Sequence, residues 1–201
     1  MAANGQTFAE NSVLRDGTIY KIGVTETAIY RITFEELEAA GVDVSSLDID
    51  KISMYGNIAG MLPEDNSAVF YDDLTEMSIS VDDDGIVFYG QSPVEWTFTN
   101  DRYVYGTNYY TDTTFYFLKI DNQTNGKRMS VKEQNAGDAV GVINSFLDKQ
   151  YHEIDLSNYY HRGRKWYGEK INGENQQVTI PFVFKNVEKN KIGSLKTCFV
   201  G

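Results

Sequence analysis

Short segments in which apolar and polar residues alternate constrain the fold of this chain more than any other feature. Thr18-Ile-Tyr-Lys-Ile-Gly-Val-Thr25 and Thr75-Glu-Met-Ser-Ile-Ser-Val81 both alternate with a period of two residues. This period is typical of strands that turn one face to a core and the other to water. Turn-forming residues follow such segments, as in Asp82-Asp-Asp-Gly85, because Asp and Gly tolerate the backbone angles of tight turns. The sequence therefore predicts many short strands joined by turns.

The predicted strands are distributed along the whole chain. The first two are expected to pair as a hairpin that turns at Glu26 and Thr27. Residues 114–120 are expected to be the partner or a close neighbour of residues 86–90. Residues 139–148 fit either a strand or a helical turn. Strands are predicted at 18–25, 28–32, 51–55, 75–81, 86–90, 114–120, 150–156, 178–184 and 194–200.

One short helix is predicted over residues 34–40. Thr33-Phe-Glu-Glu36 has the form of a capping box, in which the Thr hydroxyl accepts from the amide of Glu36 and the Glu carboxylate accepts from the Thr amide. Gly41 suits the left-handed position that ends many helices. The helix is therefore expected to end just before this glycine.

These elements predict a mainly β fold, an antiparallel β-sandwich of jelly-roll-like form with one or two short helices. A chain of 201 residues suits one domain. The predicted organisation is a flexible segment at 1–12, a sandwich domain at 13–185 and a final strand at 186–201. We expect this last strand to be the truncated start or the edge of the next part of a longer protein.

Charge and composition exclude several functions. The net charge of −11 and the pI of about 4.6 argue against binding to nucleic acids or to anionic membrane surfaces. No apolar run reaches the roughly 18 residues that a transmembrane helix needs, so no transmembrane segment is predicted. Cys198 is the single cysteine, which excludes a disulfide within the chain.

No catalytic, cofactor-binding or metal-binding constellation is predicted. His152 and His161 are the two histidines, and their spacing matches no zinc motif. Cys198 has no glycine-rich elbow or helix N-terminus nearby to activate its thiol. Calcium is the alternative for Asp72-Asp73 and Asp82-Asp-Asp84, because carboxylates from scattered loops can bind it. Solvated turns are the simpler interpretation of both clusters.

Aromatic residues are concentrated in Ile86-Val-Phe-Tyr-Gly-Gln-Ser-Pro-Val-Glu-Trp96 and in the residues after it. Rings of this size dominate whatever core or contact surface they join. The second tryptophan lies in a basic segment, and Arg and Trp are frequent interface anchors. An internal loop pinned by its aromatic rings is the alternative for that segment. The candidate interface residues are Trp96, Arg162, Arg164, Lys165, Trp166 and Tyr167.

Six stretches, in this order and spacing, carry a family resemblance: residues 20–33, 55–64, 73–76, 86–96, 110–118 and 163–169. Together they resemble the N-terminal region of the PorU-like sortases of the Bacteroidetes type IX secretion system. These sortases are gingipain-like cysteine peptidases of the cell surface. The resemblance extends over nearly the whole chain.

The resemblance implies an exported protein at the cell surface or outer membrane of a Gram-negative bacterium. In this family the peptidase removes C-terminal sorting signals from secreted cargo, and its catalytic His and Cys lie downstream of the N-terminal region. No residue of this chain is therefore expected to be catalytic. The implied partners are the downstream peptidase domain of the same protein, secreted cargo and other secretion-system components.

Two functions from different classes follow. The first is a non-catalytic scaffold or prodomain-like partner of a downstream peptidase domain. The second is an independent β-sandwich module that binds a glycan or a protein through Trp96, Trp166 and neighbouring tyrosines, because aromatic faces suit both ligands. A stand-alone hydrolase is disfavoured, because no catalytic constellation is legible in the sequence.

Overall fold

The computed structural model describes residues 8–57, 61, 65, 67–68, 71–120, 123–133, 137, 141–159, 161, 163 and 165–200. The chain divides into two compact units, Met1–Ala136 and Gly137–Gly201. The domain limits predicted from the sequence, 1–12, 13–185 and 186–201, stay predictions, because a division by compactness does not show where a domain folds independently.

All nine strands of the described residues lie in the first unit, and every pair of them is antiparallel. They form a sheet of order β1-β9-β3-β4, a second sheet of order β2-β6-β5 and a separate hairpin, β7-β8. The elements are β1 (Thr18–Val24), β2 (Ala28–Thr33), α1 (Phe34–Ala39), β3 (Ser53–Gly56), β4 (Thr75–Met77), β5 (Ser80–Asp82), β6 (Gly85–Gly90), β7 (Val94–Thr99), β8 (Arg102–Thr107) and β9 (Thr114–Ile120).

The two sheets pack through their inner faces into one hydrophobic core. Phe88 of the second sheet and Tyr116 of the first meet with their ring centroids 5.5 Å apart. Burial of such rings removes large apolar areas from water, which is the main stabilising contribution to a fold of this size. The mainly β, antiparallel, sandwich-like fold predicted from the sequence is therefore confirmed. The buried core residues are Val24, Leu37, Val42, Ile52, Met54, Ile79, Ile86, Phe88, Tyr116, Leu118 and Ile120.

The predicted hairpin of the first two strands is wrong. β1 pairs with β9 along its whole length, and β2 pairs with β6. The connection Thr25-Glu-Thr27 has no Gly, Asn or Asp to supply the positive φ of a tight hairpin turn. It forms a corner between the sheets, where the Ser92 hydroxyl donates to the Thr25 carbonyl and the Ser92 amide donates to the Thr27 hydroxyl.

The strand predicted at 75–81 is two strands in different sheets, β4 and β5. Ile79 lies between them, fully buried, and its backbone pairs instead with Lys127 and Met129. The alternation continues through the break, because Met77, Ile79 and Val81 all face the core. Periodicity alone therefore could not reveal that the chain changes sheet at this position.

The predicted helix and its caps are confirmed. The Glu36 amide donates to the Thr33 hydroxyl at 3.1 Å, and the Thr33 amide donates to the Glu36 carboxylate at 2.8 Å. Gly41 has a φ of +91°, as a left-handed end position requires. Two 3₁₀ turns, Val44–Ser46 and Ile49–Lys51, follow the helix. No helix in the described part of the chain is long and apolar enough to cross a membrane.

The second unit does not contain the strands predicted at 150–156, 178–184 and 194–200. Its described residues make one isolated antiparallel bridge, between Ser157 and Tyr167. Alternation is a condition for a half-buried strand, but a strand also needs a partner for its backbone groups and cover for its apolar face. The sequence pattern shows neither.

Candidate functional site

The hairpin β7-β8 positions the first candidate residue, Trp96. The strands are joined at Asn100 and Asp101, whose φ angles of 48° and 57° are those that a type I′ turn requires. Sequence reasoning missed this hairpin. The signal was present, because Asn-Asp stands between two alternating six-residue segments and Asn and Asp tolerate positive φ better than other residues with side chains.

Four aromatic residues, Trp96, Phe98, Tyr103 and Tyr105, lie on one side of this hairpin, which we call the aromatic face. Trp96 is opposite Tyr105, and Phe98 is opposite Tyr103. Paired residues of two strands point to the same side. The opposite side carries exposed polar residues, among them Glu95 and Thr97. The aromatic residues of the hairpin are therefore confined to one side, and most residues on the other side are polar.

The rings of the aromatic face contact one another at steep angles. The centroids of Trp96 and Tyr105 are 5.6 Å apart with an interplanar angle of 57°, and those of Phe98 and Tyr103 are 5.1 Å apart at 60°. Trp96 and Tyr103 meet edge to face at 87°. Such pairs stabilise a two-stranded hairpin that is otherwise marginal in water. Phe98 nevertheless keeps 57% of its surface exposed.

The other candidate interface residues lie in the second unit. Trp166 is half-exposed, and Tyr167 pairs with Ser157 through backbone hydrogen bonds of 2.9 and 3.0 Å. The Tyr167 ring also packs against Tyr159. Lys165 is exposed, whereas Arg162 and Arg164 lie outside the described residues. The four candidate residues that the structure describes therefore belong to two units, Trp96 to the first and Lys165, Trp166 and Tyr167 to the second.

The histidines and the cysteine of the second unit do not form a recognised catalytic arrangement in the described residues. The Nε2 atom of His152 lies 2.5 Å from Oε1 of Glu169. A hydrogen bond from its own backbone amide, and then the bond with His152, hold the pKa of Glu169 below its ordinary 4.5. Cys198 is an exposed free thiol. His161 has a positive φ of 49° in a loop.

The acidic clusters considered for calcium accept hydrogen bonds from the protein itself. The Asp73 carboxylate accepts from the Val13 amide at 2.7 Å, the Leu74 amide at 2.8 Å and the Ser12 hydroxyl at 3.0 Å. Burial raises the pKa of Asp73, but these donors outweigh it and the pKa falls below 3.8. Asp72 accepts from the Ala9 amide. Asp72 and Asp73 also line an open cleft of about 250 Å³ with Asn57, Tyr71 and Leu74.

Asp82, in edge strand β5, has a partner in β2, the opposite edge strand of the same sheet. Its two carboxylate oxygens bind the Arg31 guanidinium at 2.5 and 2.8 Å. This bidentate pair holds the pKa of Asp82 at about 2. Across the described residues, no three His, Cys, Asp or Glu side chains are arranged to hold a metal ion. The two clusters thus have structural roles that the sequence pattern did not reveal.

Comparison with solved structures finds a likeness to a much longer protein. No protein-family model matches this chain, and no curated protein matches it. A solved structure does match over 68% of this chain, with 29% sequence identity and a TM-score of 0.54. The matched part spans 12% of the solved chain, so this chain corresponds to a small part of a much longer protein. That protein, to which this chain is similar, is dimeric latent PorU from Porphyromonas gingivalis.

Proposed function

We propose that this chain is a non-catalytic, β-rich N-terminal region of a PorU-like sortase, serving as scaffold or prodomain-like partner of a downstream cysteine-peptidase domain. The observation that carries the proposal is the likeness to PorU over 68% of this chain at 29% identity. The six stretches that resemble the family in sequence support the same placement. The proposed parent protein processes the C-terminal sorting signals of secreted cargo.

The chemistry of the described residues is consistent with a non-catalytic role. Cysteine peptidases need a thiol activated by a neighbouring base. His152 is engaged by Glu169, and Cys198 has no hydrogen-bond partner among the described residues. The first unit instead offers a sandwich with a continuous core, which suits a rigid support for another domain.

The proposal also implies partners and a cellular location, which are those of the family. The partners are the downstream peptidase domain, secreted cargo and other components of the secretion system. The location is the cell surface or outer membrane of a Gram-negative bacterium. Fractionation of the native protein, with protease added to intact cells, tests the location directly.

Peptidase assays on this chain and on the longer protein that contains it test the proposed function. The substrate is a peptide with a C-terminal sorting signal. We expect cleavage by the longer protein and none by the 201 residues alone. Cys198→Ala in the longer protein is the control and keeps full activity. Cleavage by this chain alone, lost in Cys198→Ala, would overturn the proposal.

Two further assays separate the scaffold from the prodomain-like role. If this chain acts as a scaffold, its deletion from the longer protein lowers the melting temperature of the peptidase domain. If it acts like a prodomain, its deletion raises activity, and the separate chain then inhibits the truncated enzyme in trans. Neither effect is expected if the chain only links other parts of the protein.

A second candidate function is recognition of a protein partner by the aromatic face. The half-exposed rings and the opposite polar side resemble the aromatic centre and polar surroundings of protein interfaces. These three ring pairs meet at angles of 57° to 87° and do not form one flat platform, and we take a protein as the ligand of this surface.

Binding of sorting-signal peptides and of a glycan array to this chain tests that second function. Phe98→Ala and Trp96→Ala are expected to weaken peptide binding at least about tenfold, as interface anchors do. Thr97→Ala and Thr99→Ala, on the other side of the same strand, are the matched controls. Equal binding by all four variants would reject the aromatic face as the contact surface.

A further inference from the structure

The second unit contains many apolar side chains that are largely exposed. None of its described residues is buried. Disordered segments usually lack apolar and aromatic residues, whereas this unit has many, and exposed apolar patches of this extent usually mark protein interaction surfaces. Its most exposed apolar side chains are Val142, Ile143, Phe146, Ile192, Leu195 and Phe199, which are 77% to 98% exposed.

Two alternating segments of this unit, residues 178–184 and 194–200, also lack backbone pairing. Their backbone amides and carbonyls form no backbone–backbone hydrogen bonds within the described residues. Apolar side chains can be buried only if the backbone beside them is also paired, because an unpaired buried amide is costly. Whatever covers these side chains must therefore also supply hydrogen bonds to the backbone.

The side chain of Gln150 shows which kind of chemical group can bind the backbone of residues 178–184. Its Nε2 atom donates to the Val183 carbonyl at 2.5 Å, and its Oε1 atom accepts from the Val183 amide at 3.2 Å. A neighbouring strand offers a residue the same two bonds, one donated and one accepted. The Gln150 amide thus makes at Val183 the two hydrogen bonds of a neighbouring strand, and a strand that pairs at this residue would replace it.

We propose that residues 178–184 and 194–200 pair with β-strands from the downstream part of the same polypeptide and bury their apolar side chains there. The inference rests on the proposed function, which supplies the downstream part. The likeness covers 12% of the PorU chain, so a parent protein of that size would have enough further sequence to supply such strands. Residues 137–201 carry nine Lys and Arg and seven Asp and Glu, so the surface is nearly neutral and suits apolar contact.

A lipid surface is less suited than a protein strand to cover these two segments. Hydrocarbon offers no hydrogen bonds to backbone groups, and only helices and closed barrels satisfy their own backbone in it. β-Strand addition, by contrast, satisfies backbone groups and alternating side chains at once. The pattern of these two segments therefore favours an edge of another sheet.

Hydrogen exchange of the 201-residue chain and of the longer protein tests the inference. In the chain alone we expect 178–184 and 194–200 to exchange as fast as an unstructured peptide. In the longer protein their exchange slows about 100-fold or more. β6 and β9, paired within this chain, are slow in both samples and serve as internal controls.

Several results would overturn the inference. Fast exchange of the two segments in the longer protein is the first. Protection in the chain alone at every concentration would show that the segments pair within it. Protection that grows with concentration would show that a second copy covers them. Protection by phosphatidylcholine or phosphatidylglycerol vesicles would assign the surface to lipid.

Two variants test strand pairing separately from the proposed function. Phe182→Asp is expected to abolish the slowing at 178–184 in the longer protein, and Thr179→Asp, a polar neighbour, is the matched control. Neither substitution should change the melting temperature of the first unit in the 201-residue chain. If the longer protein shows this protection but no peptidase activity, the proposed function fails and strand pairing stands. If it is active but unprotected, only the pairing fails.

Discussion

The Nζ atom of Lys119 lies 2.9 Å from the Oδ1 atom of Asp16, although the two side chains are 8% and 71% exposed. Lys119 stands in the apolar strand β9, on the side that faces away from the core. It also donates to the Val13 carbonyl at 3.0 Å. With the bonds from Ser12 and Val13 to Asp73, this pair fastens the segment before β1 across the outside of the sheet.

Replacement of this buried ammonium is expected to loosen that segment. Lys119→Met keeps an unbranched side chain but removes both hydrogen bonds, so the free energy of unfolding should fall by about 1–2 kcal/mol. Residues 8–17 should also be cleaved faster by trypsin at Arg15. Lys132→Met, at an exposed position, is the control and should change neither quantity. A variant as stable as the wild type would show that desolvation of the ammonium cancels its bonds.

The pair between Arg31 and Asp82 predicts a specific response to acid. The bond from Arg31 lowers the pKa of Asp82 from 3.8 to about 2. A depressed pKa stabilises the fold above pH 3.8, and this stabilisation is lost as the pH falls from 3.8 toward 2. Asp82→Asn should therefore lower the melting temperature clearly at pH 6 and much less at pH 2, where about half of the native carboxylate is protonated.

Asp83→Asn is the matched control for that measurement. It makes the same change of charge in the same turn, and Asp83 has no hydrogen-bond or ion-pair partner among the described residues. Its effect on the melting temperature at pH 6 should be small. Equal effects of the two substitutions would mean that net charge, and not the Arg31 pair, determines the acid response.

The elements that could be predicted from sequence are those whose chemistry is local. Thr33 and Glu36 form their capping box within four residues, so the pattern alone predicts the helix start. The partner of β1 is instead β9, at the other end of the unit. A period of two residues shows which side of a strand is apolar, but it does not show which strand lies beside it.

The candidate site also combines residues that the sequence identifies with contacts that depend on strand pairing. The sequence identifies Trp96 as a large aromatic residue of either a core or a contact surface. Its ring contacts with Tyr103 and Tyr105 follow instead from the register of β7 and β8. That register depends on the turn at Asn100 and Asp101, which the sequence analysis did not recognise. Residues 114–120 are expected to be the partner or a close neighbour of residues 86–90, and the second alternative is confirmed, because Phe88 and Tyr116 meet across the core between sheets. The sequence pattern could not choose between the two alternatives.

Two phenylalanines separate the core from the aromatic face. Phe88 is fully buried, whereas Phe98 is 57% exposed. Phe88→Ala should lower the free energy of unfolding by about 3–5 kcal/mol, since it removes buried area and leaves a cavity. Phe98→Ala should cost less than about 1 kcal/mol, because most of its ring already faces water. Urea unfolding of both variants measures the difference, and similar losses would place Phe98 in the core.

Gly85 is a position where a single methyl group should disturb the sandwich. It begins β6 with a φ of +155°, and a Cβ atom there would meet the Ile32 carbonyl oxygen and lie 2.8 Å from the Thr33 Cα atom. Both contacts are with the backbone of β2, its partner strand, so no side chain can rotate away. Gly85→Ala should therefore lower the free energy of unfolding by about 1–3 kcal/mol.

Gly106→Ala is the control for this last substitution. Gly106 lies in β8 with no atom within 4 Å of an added Cβ and without a positive φ. Alanine there reduces the freedom of the unfolded chain without a clash, so stability should stay equal or rise by about 0.5 kcal/mol. Both variants replace one glycine by alanine, and urea unfolding compares their free energies of unfolding. A loss at Gly106 as large as that at Gly85 would show that backbone entropy, and not contact with β2, explains the glycine at the start of β6.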